Sequence, residues 1–177
     1  MAIERLEFLE ILKESYSAYY NISLADRTGA PNELPLAFRA DYFSRAERYW
    51  ISKNIPIWGN ETNEYAYIFS APGFDSELVN RCIDFAIADM LPRVKPHKEH
   101  QYTNVKTVFV ADKFDKAARE SVQKRSFSKS YKFSLHGFTT LHTAAVDLSE
   151  EKAYTNKAGY ALADYFRKLF ASRAEKT

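Results

Sequence analysis

Four histidines, His97, His100, His136 and His142, are the side chains here that exchange protons near neutral pH. Two stand close together in His97-Lys98-Glu99-His100. A helical zinc pair needs histidines four apart with a carboxylate at hand, and the inverted motif needs a histidine where this chain has Pro96. His97 and His100 are therefore expected as solvated loop residues and not as metal ligands. If one strand ran through His136 and His142, six residues would hold them ~20 Å apart, beyond any shared metal. No metal or cofactor is implied.

Nucleophiles are equally scarce. The chain has no Gly-x-Ser-x-Gly elbow, and its one cysteine, Cys82, falls on the apolar stripe of an expected helix, where it reads as core. A single cysteine permits no intrachain disulfide and fits a reducing compartment. No residue set is assigned a catalytic role.

The strongest charged feature is Lys124-Arg125-Ser126-Phe127-Ser128-Lys129-Ser130-Tyr131-Lys132. Lys124, Arg125, Lys129 and Lys132 are candidates for an anion site, since phosphates would take the charges and unstacked bases would take Phe127 or Tyr131. The alternation of Tyr131 and Phe133 with Lys132 and Ser134 turns the aromatics toward a core instead. Residues 95–132 hold 10 basic and 4 acidic side chains, whereas residues 1–94 hold 9 and 14. Among the 27 aromatics Trp50 is the interface candidate: under a helix it is packing, and left open it anchors a partner.

These groups need a scaffold. Ile3, Leu6, Leu9, Leu12, Tyr16 and Tyr19 recur at helical spacing and predict a first helix. The segment MAIERLEFLEILKE lacks a cleavage site and reads as helix, not as a signal peptide. Period-two alternation predicts a strand at 36–43 and a second at 48–55, joined at 44–47 into a hairpin. A wet loop at 56–63 then leads to Tyr65-Ala66-Tyr67-Ile68-Phe69, apolar on both faces and so a central strand. Asp75 caps a helix that Pro92 stops, with Val79, Cys82, Ile83, Ile87 and Met90 inward. A strand at 105–111, a helix capped by Asp112 and a long strand bent near Gly137 follow. Asn156 opens a last helix with Leu162, Phe166, Leu169 and Phe170 inward.

The order α-β-β-β-α-β-α-β-α is that of one α+β domain over residues 1–177, with about five strands, mostly antiparallel, and mixed pairing near the strand at 105–111. Its opening resembles the core of restriction-endonuclease-like nucleases, in which a metal-binding acid stands on one strand and Glu-x-Lys on the next. Here the matching strand begins Glu64-Tyr65-Ala66, without lysine, and the one Glu-x-Lys, Glu150-Glu151-Lys152, falls in an expected loop. The likeness is in the order of elements.

With 46% hydrophobic and 27% charged residues and no apolar run of membrane-spanning length, the chain reads as a cytoplasmic globular protein without a membrane partner. The sequon Asn60-Glu61-Thr62 would matter only in a secreted chain. The leading expectation is binding or self-assembly, as a homodimer, with no evident catalytic centre. Two alternatives stand beside it: a divergent metal-dependent phosphate-processing enzyme, and a small-ligand protein with a tyrosine-lined pocket between sheet and helices.

Overall fold

A computed structural model of the chain describes residues 3–49 and 56–174. In chain order the elements are α1 (Arg5–Ser17), β1 (Asn21–Leu24), β2 (Leu36–Tyr49), β3 (Pro56–Ala71), α2 (Ser76–Met90), β4 (His100–Ala111), α3 (Lys116–Lys124), β5 (Ser128–Ser130), β6 (Phe138–Asp147), β7 (Lys152–Thr155) and α4 (Tyr160–Ala174). The fold is α+β, built on one mixed sheet ordered β1-β2-β3-β4-β6, with β5 and β7 both paired to β6. At its centre β4 runs parallel to β3 and to β6, and every other ladder is antiparallel.

The parallel trio dictates where the helices go. Chain order β3, β4, β6 steps across the sheet in one direction, so two right-handed crossovers place their helices on one face. Accordingly, Val79, Cys82, Ile83, Ala86 and Met90 of α2 share a core with Ala118 and Val122 of α3 against Tyr67, Phe69, Val105, Phe109 and Leu141. On the opposite face Phe8, Leu12 and Tyr16 of α1 join Leu162, Phe166 and Phe170 of α4 over Ala66, Ile68, Val108, Val110, Ala144 and Val146. The expected central strand from Tyr65 to Phe69 is thus covered on both sides.

Several local expectations are corrected. The sheet has seven strands and not about five, because β1, β5 and β7 are three or four residues long, too short to show a period. The hairpin does not turn at 44–47: β2 continues through it, with Ser44 opposite Thr62 and Glu47 opposite Gly59, so the wet loop at 56–63 is strand as well. Beyond the Glu61–His100 pair this ribbon has no third strand on the β3 side among the described residues, and no pairing described there imposes apolar alternation. Arg48 and Tyr49 of the expected strand at 48–55 end β2, while Trp50 and the rest of it, residues 50–55, lie outside the described residues. The inner row of α1 is Phe8, Leu12 and Tyr16, while Leu6 is exposed, because Phe8 stacks on Phe170 at 5.5 Å. Asp115, not Asp112, caps α3 by accepting from Ala118 N at 2.7 Å.

The bend near Gly137 is a full reversal. Lys132, Phe133, Ser134 and Gly137 all have positive φ, closing the chain between β5 and β6. His136 therefore sits in the turn and not on a strand with His142. A Cβ on Gly137 would come within 2.5 Å of the Gln101 carbonyl oxygen, which requires glycine there. Asn156 holds a second junction: its side chain accepts from Thr143 N and Gly159 N and donates to the carbonyls of Leu141 and Arg125, all within 3.1 Å. Among the described residues no helix is long and apolar enough to cross a membrane.

Candidate functional site

Along the face covered by α1 and α4, three adjacent strands change character at one level. Ile68 and Ala66 of β3 give way to Glu64, Val110 and Val108 of β4 to Lys106 and Asn104, and Val146 and Ala144 of β6 to His142. Register makes this one site, since Glu64 lies opposite Asn104, and Lys106 lies between Ala66 and His142. Parallel strands are ordinarily buried on both faces, so a half-open face on three of them is a departure that asks for an occupant.

The opening is a cleft of about 430 Å³, walled by Tyr16, Tyr19 and Tyr20 at the end of α1 and by Tyr160, Leu162 and Tyr165 of α4. Its floor is Glu64, Asn104, Lys106 and His142. The α1 and α4 walls are tied by the Tyr165 hydroxyl donating to Ser15 Oγ at 2.8 Å.

Glu64 is the hub of the floor. Its Oε2 accepts from the Tyr20 hydroxyl and from Lys106 Nζ at 2.5 Å, and its Oε1 accepts from Asn104 Nδ2 at 3.4 Å. Lys106 Nζ also donates to the Tyr20 oxygen at 3.2 Å and lies 5.8 Å from the centre of that ring. Burial pushes the Glu64 carboxyl up, but the Lys106 ammonium and the bonds from Lys106, Tyr20 and Asn104 outweigh it and hold the group below its ordinary value. Burial, then the hydrogen bond to Glu64, pushes the Tyr20 phenol well above its ordinary value. His142 is lowered by burial first and by the Lys106 ammonium second, with Glu64 opposing, so it is neutral at physiological pH. Its ring has no hydrogen-bond partner among the described residues.

The residues singled out from sequence fall elsewhere, His142 excepted. Lys124 pairs with Glu120 at 2.8 Å, and Arg125 pairs with Asp84 and reaches Asn80 at 3.4 Å. Both line a second cleft of about 780 Å³ with Phe127 and Asn156, while Lys129 and Lys132 lie beyond it on β5 and the turn. Phe127 and Tyr131 pack against the α2–α3 core, but Phe133, expected to face a core with Tyr131, is 99% exposed, because residues 132–134 form a left-handed turn and not a strand. His97 pairs with Glu61 at 2.9 Å. His100 is buried rather than solvated, bonded to the His136 carbonyl at 2.7 Å and to Thr103 at 2.9 Å, because the turn before β6 closes over it. Cys82 is buried, and that burial pushes its thiol up to about 12. Among the described residues no three His, Cys, Asp or Glu side chains stand close enough to hold a metal ion.

Sequence reasoning missed Tyr20, Asn104 and Lys106. The signal was present as a shared apolar-to-polar switch in three strands, but it becomes a site only once the register is known.

On this evidence the molecule is an α+β protein whose mixed sheet carries, on one face, a ligand-sized cleft with tyrosine walls and a charged floor. The chain belongs to the family described as Domain of unknown function (DUF8052), whose model matches residues 4–168 and so takes in the whole cleft. No curated protein and no solved structure matches the chain.

Proposed function

We propose that this protein binds a small molecule in the cleft between the sheet and helices α1 and α4. The observation that carries this reading is the convergence of four polar groups from three strands on the floor of a mostly apolar, tyrosine-walled concavity. Ligand sites run to roughly 300–1,000 Å³ and combine apolar walls with a few placed polar groups, and this cleft has both traits. The chemistry on the floor suits recognition: Glu64 and Lys106 neutralise each other, and among the described residues no activated nucleophile stands beside them.

The test is fluorine NMR of protein labelled with meta-fluorotyrosine, titrated with a mixture of aromatic fragments. Shifts should concentrate on Tyr16, Tyr19, Tyr20, Tyr160 and Tyr165, assigned by single Tyr→Phe variants. Shifts spread evenly over all twelve tyrosines, or none at all, would defeat the reading.

Self-assembly has separate support. β1 pairs with β2 only from Phe38 to Asp41, so the outer edge of β2 beyond Asp41 carries no strand among the described residues, and Phe43 beside it is 62% exposed. Such an edge is a template for a second copy. Light scattering at micromolar concentration should show a dimer, and a monomer there would remove this reading.

A further inference from the structure

We infer that the ligand is a small organic anion with a flat apolar body, its charged group received by Lys106 and His142 and its body laid between the tyrosines of α1 and α4. This presupposes that the cleft is a ligand site and adds the ligand's chemical class.

The assignment follows from which polar groups of the cleft are already satisfied. Glu64 accepts three hydrogen bonds, from Tyr20, Lys106 and Asn104. The Tyr20 hydroxyl donates to Glu64 and accepts from Lys106, so both its roles are taken. An ammonium has three N–H groups, and the Lys106 bonds to Glu64 and Tyr20 use two of them. Beside it on the next strand stands the His142 ring, with no partner among the described residues. What remains at the floor is one N–H of Lys106, the unbonded N–H and oxygen of the Asn104 amide, and the His142 ring, which becomes a donor at both nitrogens once it takes a proton; with that proton the free groups are mostly donors, and a ligand that complements them brings acceptors.

A cationic ligand is disfavoured on the same grounds. The carboxylate it would seek already accepts three hydrogen bonds, one of them from Lys106. Nor does the Tyr20 ring beside the floor offer a cation an open face, since it packs against Tyr16 at 4.9 Å and Tyr42 at 5.4 Å. A flat apolar body suits the remaining wall, where Tyr160 and Tyr19 are both largely exposed at the mouth.

The geometry adds a signature. The groups facing His142 are Lys106 of β4, Glu64 of β3, Tyr16 and Tyr20 on the α1 side, and Tyr160 and Tyr165 of α4. Burial holds the phenols of Tyr16, Tyr20 and Tyr165 protonated, and Glu64 stays ionised. Near neutrality the imidazole is the group free to respond. An anion set beside it offsets the Lys106 ammonium and raises its proton affinity, so binding takes up a proton and strengthens as pH falls.

Calorimetric titration with four naphthalene probes tests this, the ring being constant and the polar end being a carboxylate, a phosphate monoester, an alcohol or an ammonium. We expect at least one anionic probe to bind about tenfold or more tightly than the alcohol and the ammonium. Its affinity should rise severalfold from about pH 8 to pH 6, with His142→Gln abolishing that rise while leaving the melting temperature unchanged. The carboxylate and phosphate arms tell which anion is preferred. Equal or tighter binding of the alcohol or ammonium, with the same tyrosines shifting, overturns the anion assignment and leaves the cleft as a ligand site. A pH rise that survives in His142→Gln overturns the role of His142. Failure of all four at millimolar concentration overturns the assignment and the ligand-site reading together.

Discussion

Replacing Lys106 by methionine keeps the length of the side chain and removes its charge, leaving Glu64 on the sheet with two of its three donors. Breaking a fully buried ion pair costs about 3–5 kcal/mol, because the surviving charge stays desolvated. Here the two side chains are 16% and 17% exposed, the cleft admits water, and Tyr20 and Asn104 still donate to the carboxylate. We therefore expect a loss of about 2–3 kcal/mol at neutral pH, or roughly 4–12 °C in Tm for a chain of this size. The loss should depend on pH. In the native protein Glu64 is held below its ordinary value, so its contribution is present above the unfolded pKa of about 4.3 and fades as pH falls through the folded one. In Lys106→Met burial is opposed only by two hydrogen bonds, and the carboxyl rises. Ionising it then costs stability as pH climbs through the unfolded value toward the raised one. The two proteins should converge on acidification, the gap narrowing toward pH 4 as the variant's penalty is relieved and closing only below the folded value of Glu64. Adding Glu64→Gln should recover at least half the neutral-pH loss. Urea unfolding at the two pH values measures all of this. A gap under about 1 kcal/mol at neutral pH, or one unchanged by acid, would refute the balance of forces assigned to Glu64.

Four other outcomes are expected. Asn156→Ala strands the Thr143 N–H and two carbonyls at once, the Gly159 N–H keeping the backbone carbonyl of residue 156, and should cost about 3 kcal/mol in urea unfolding, against about 1 kcal/mol if the junction re-forms around water. In the turn before β6, Gly137→Ala should destabilise by more than about 2 kcal/mol, whereas Ser134→Gly, at φ 67°, should stabilise by up to about 1 kcal/mol; opposite signs in thermal melts would contradict the left-handed turn. Cys82 should resist a thiol reagent at mildly alkaline pH in the native protein and react promptly in urea, and fast native labelling would show that its helix face is open. Single-stranded nucleic acid should bind weakly at low salt and be lost by about 150 mM, because Lys124 and Arg125 already face Glu120 and Asp84; micromolar binding that persists there and disappears in Arg125→Gln/Lys129→Gln would revive the anion site on that segment.

The legible parts of this fold are those where tertiary packing writes a period into the chain. Tyr65 to Phe69 is apolar at every position because helices cover both faces, and α2 announces itself through an Asp75 cap and an apolar stripe. The illegible parts are held by backbone pairing or by single side chains. β2 beyond Phe43 and β3 before Glu64 form a ladder whose residues, Ser44, Arg45, Glu61 and Thr62 among them, look like a loop because no apolar layer confronts them. β1, β5 and β7 are too short to carry a pattern, and Asn156 does structural work through four hydrogen bonds that leave no trace in periodicity. Even the agreement in opening order is partly fortuitous: three strands before α2 were expected at 36–43, 48–55 and 65–69, and three are found, but the first is β1 and the other two are the arms of one long hairpin.

The cleft shows the same division at the level of function. His142 could be weighed alone, and alone an imidazole on a strand signifies little. Glu64 drew notice only through a nuclease-like order of elements, and by that comparison its strand lacks a lysine. The lysine is supplied instead by Lys106 from the neighbouring parallel strand, 42 positions later in the chain, and a phenol comes from Tyr20, 44 positions earlier. Neither distance can be read as a motif, because the spacing is fixed by a helical crossover on one side and a helix-to-hairpin connection on the other. What the sequence does hold is a matched change in three strands, from Ile68, Val108 and Ala144 to Glu64, Asn104 and His142 on the same face. A core that needed only stability would have stayed apolar to the ends of its parallel strands. That three of them turn polar together, under tyrosines that leave a space above, is the physical ground for treating this end of the sheet as built for a ligand.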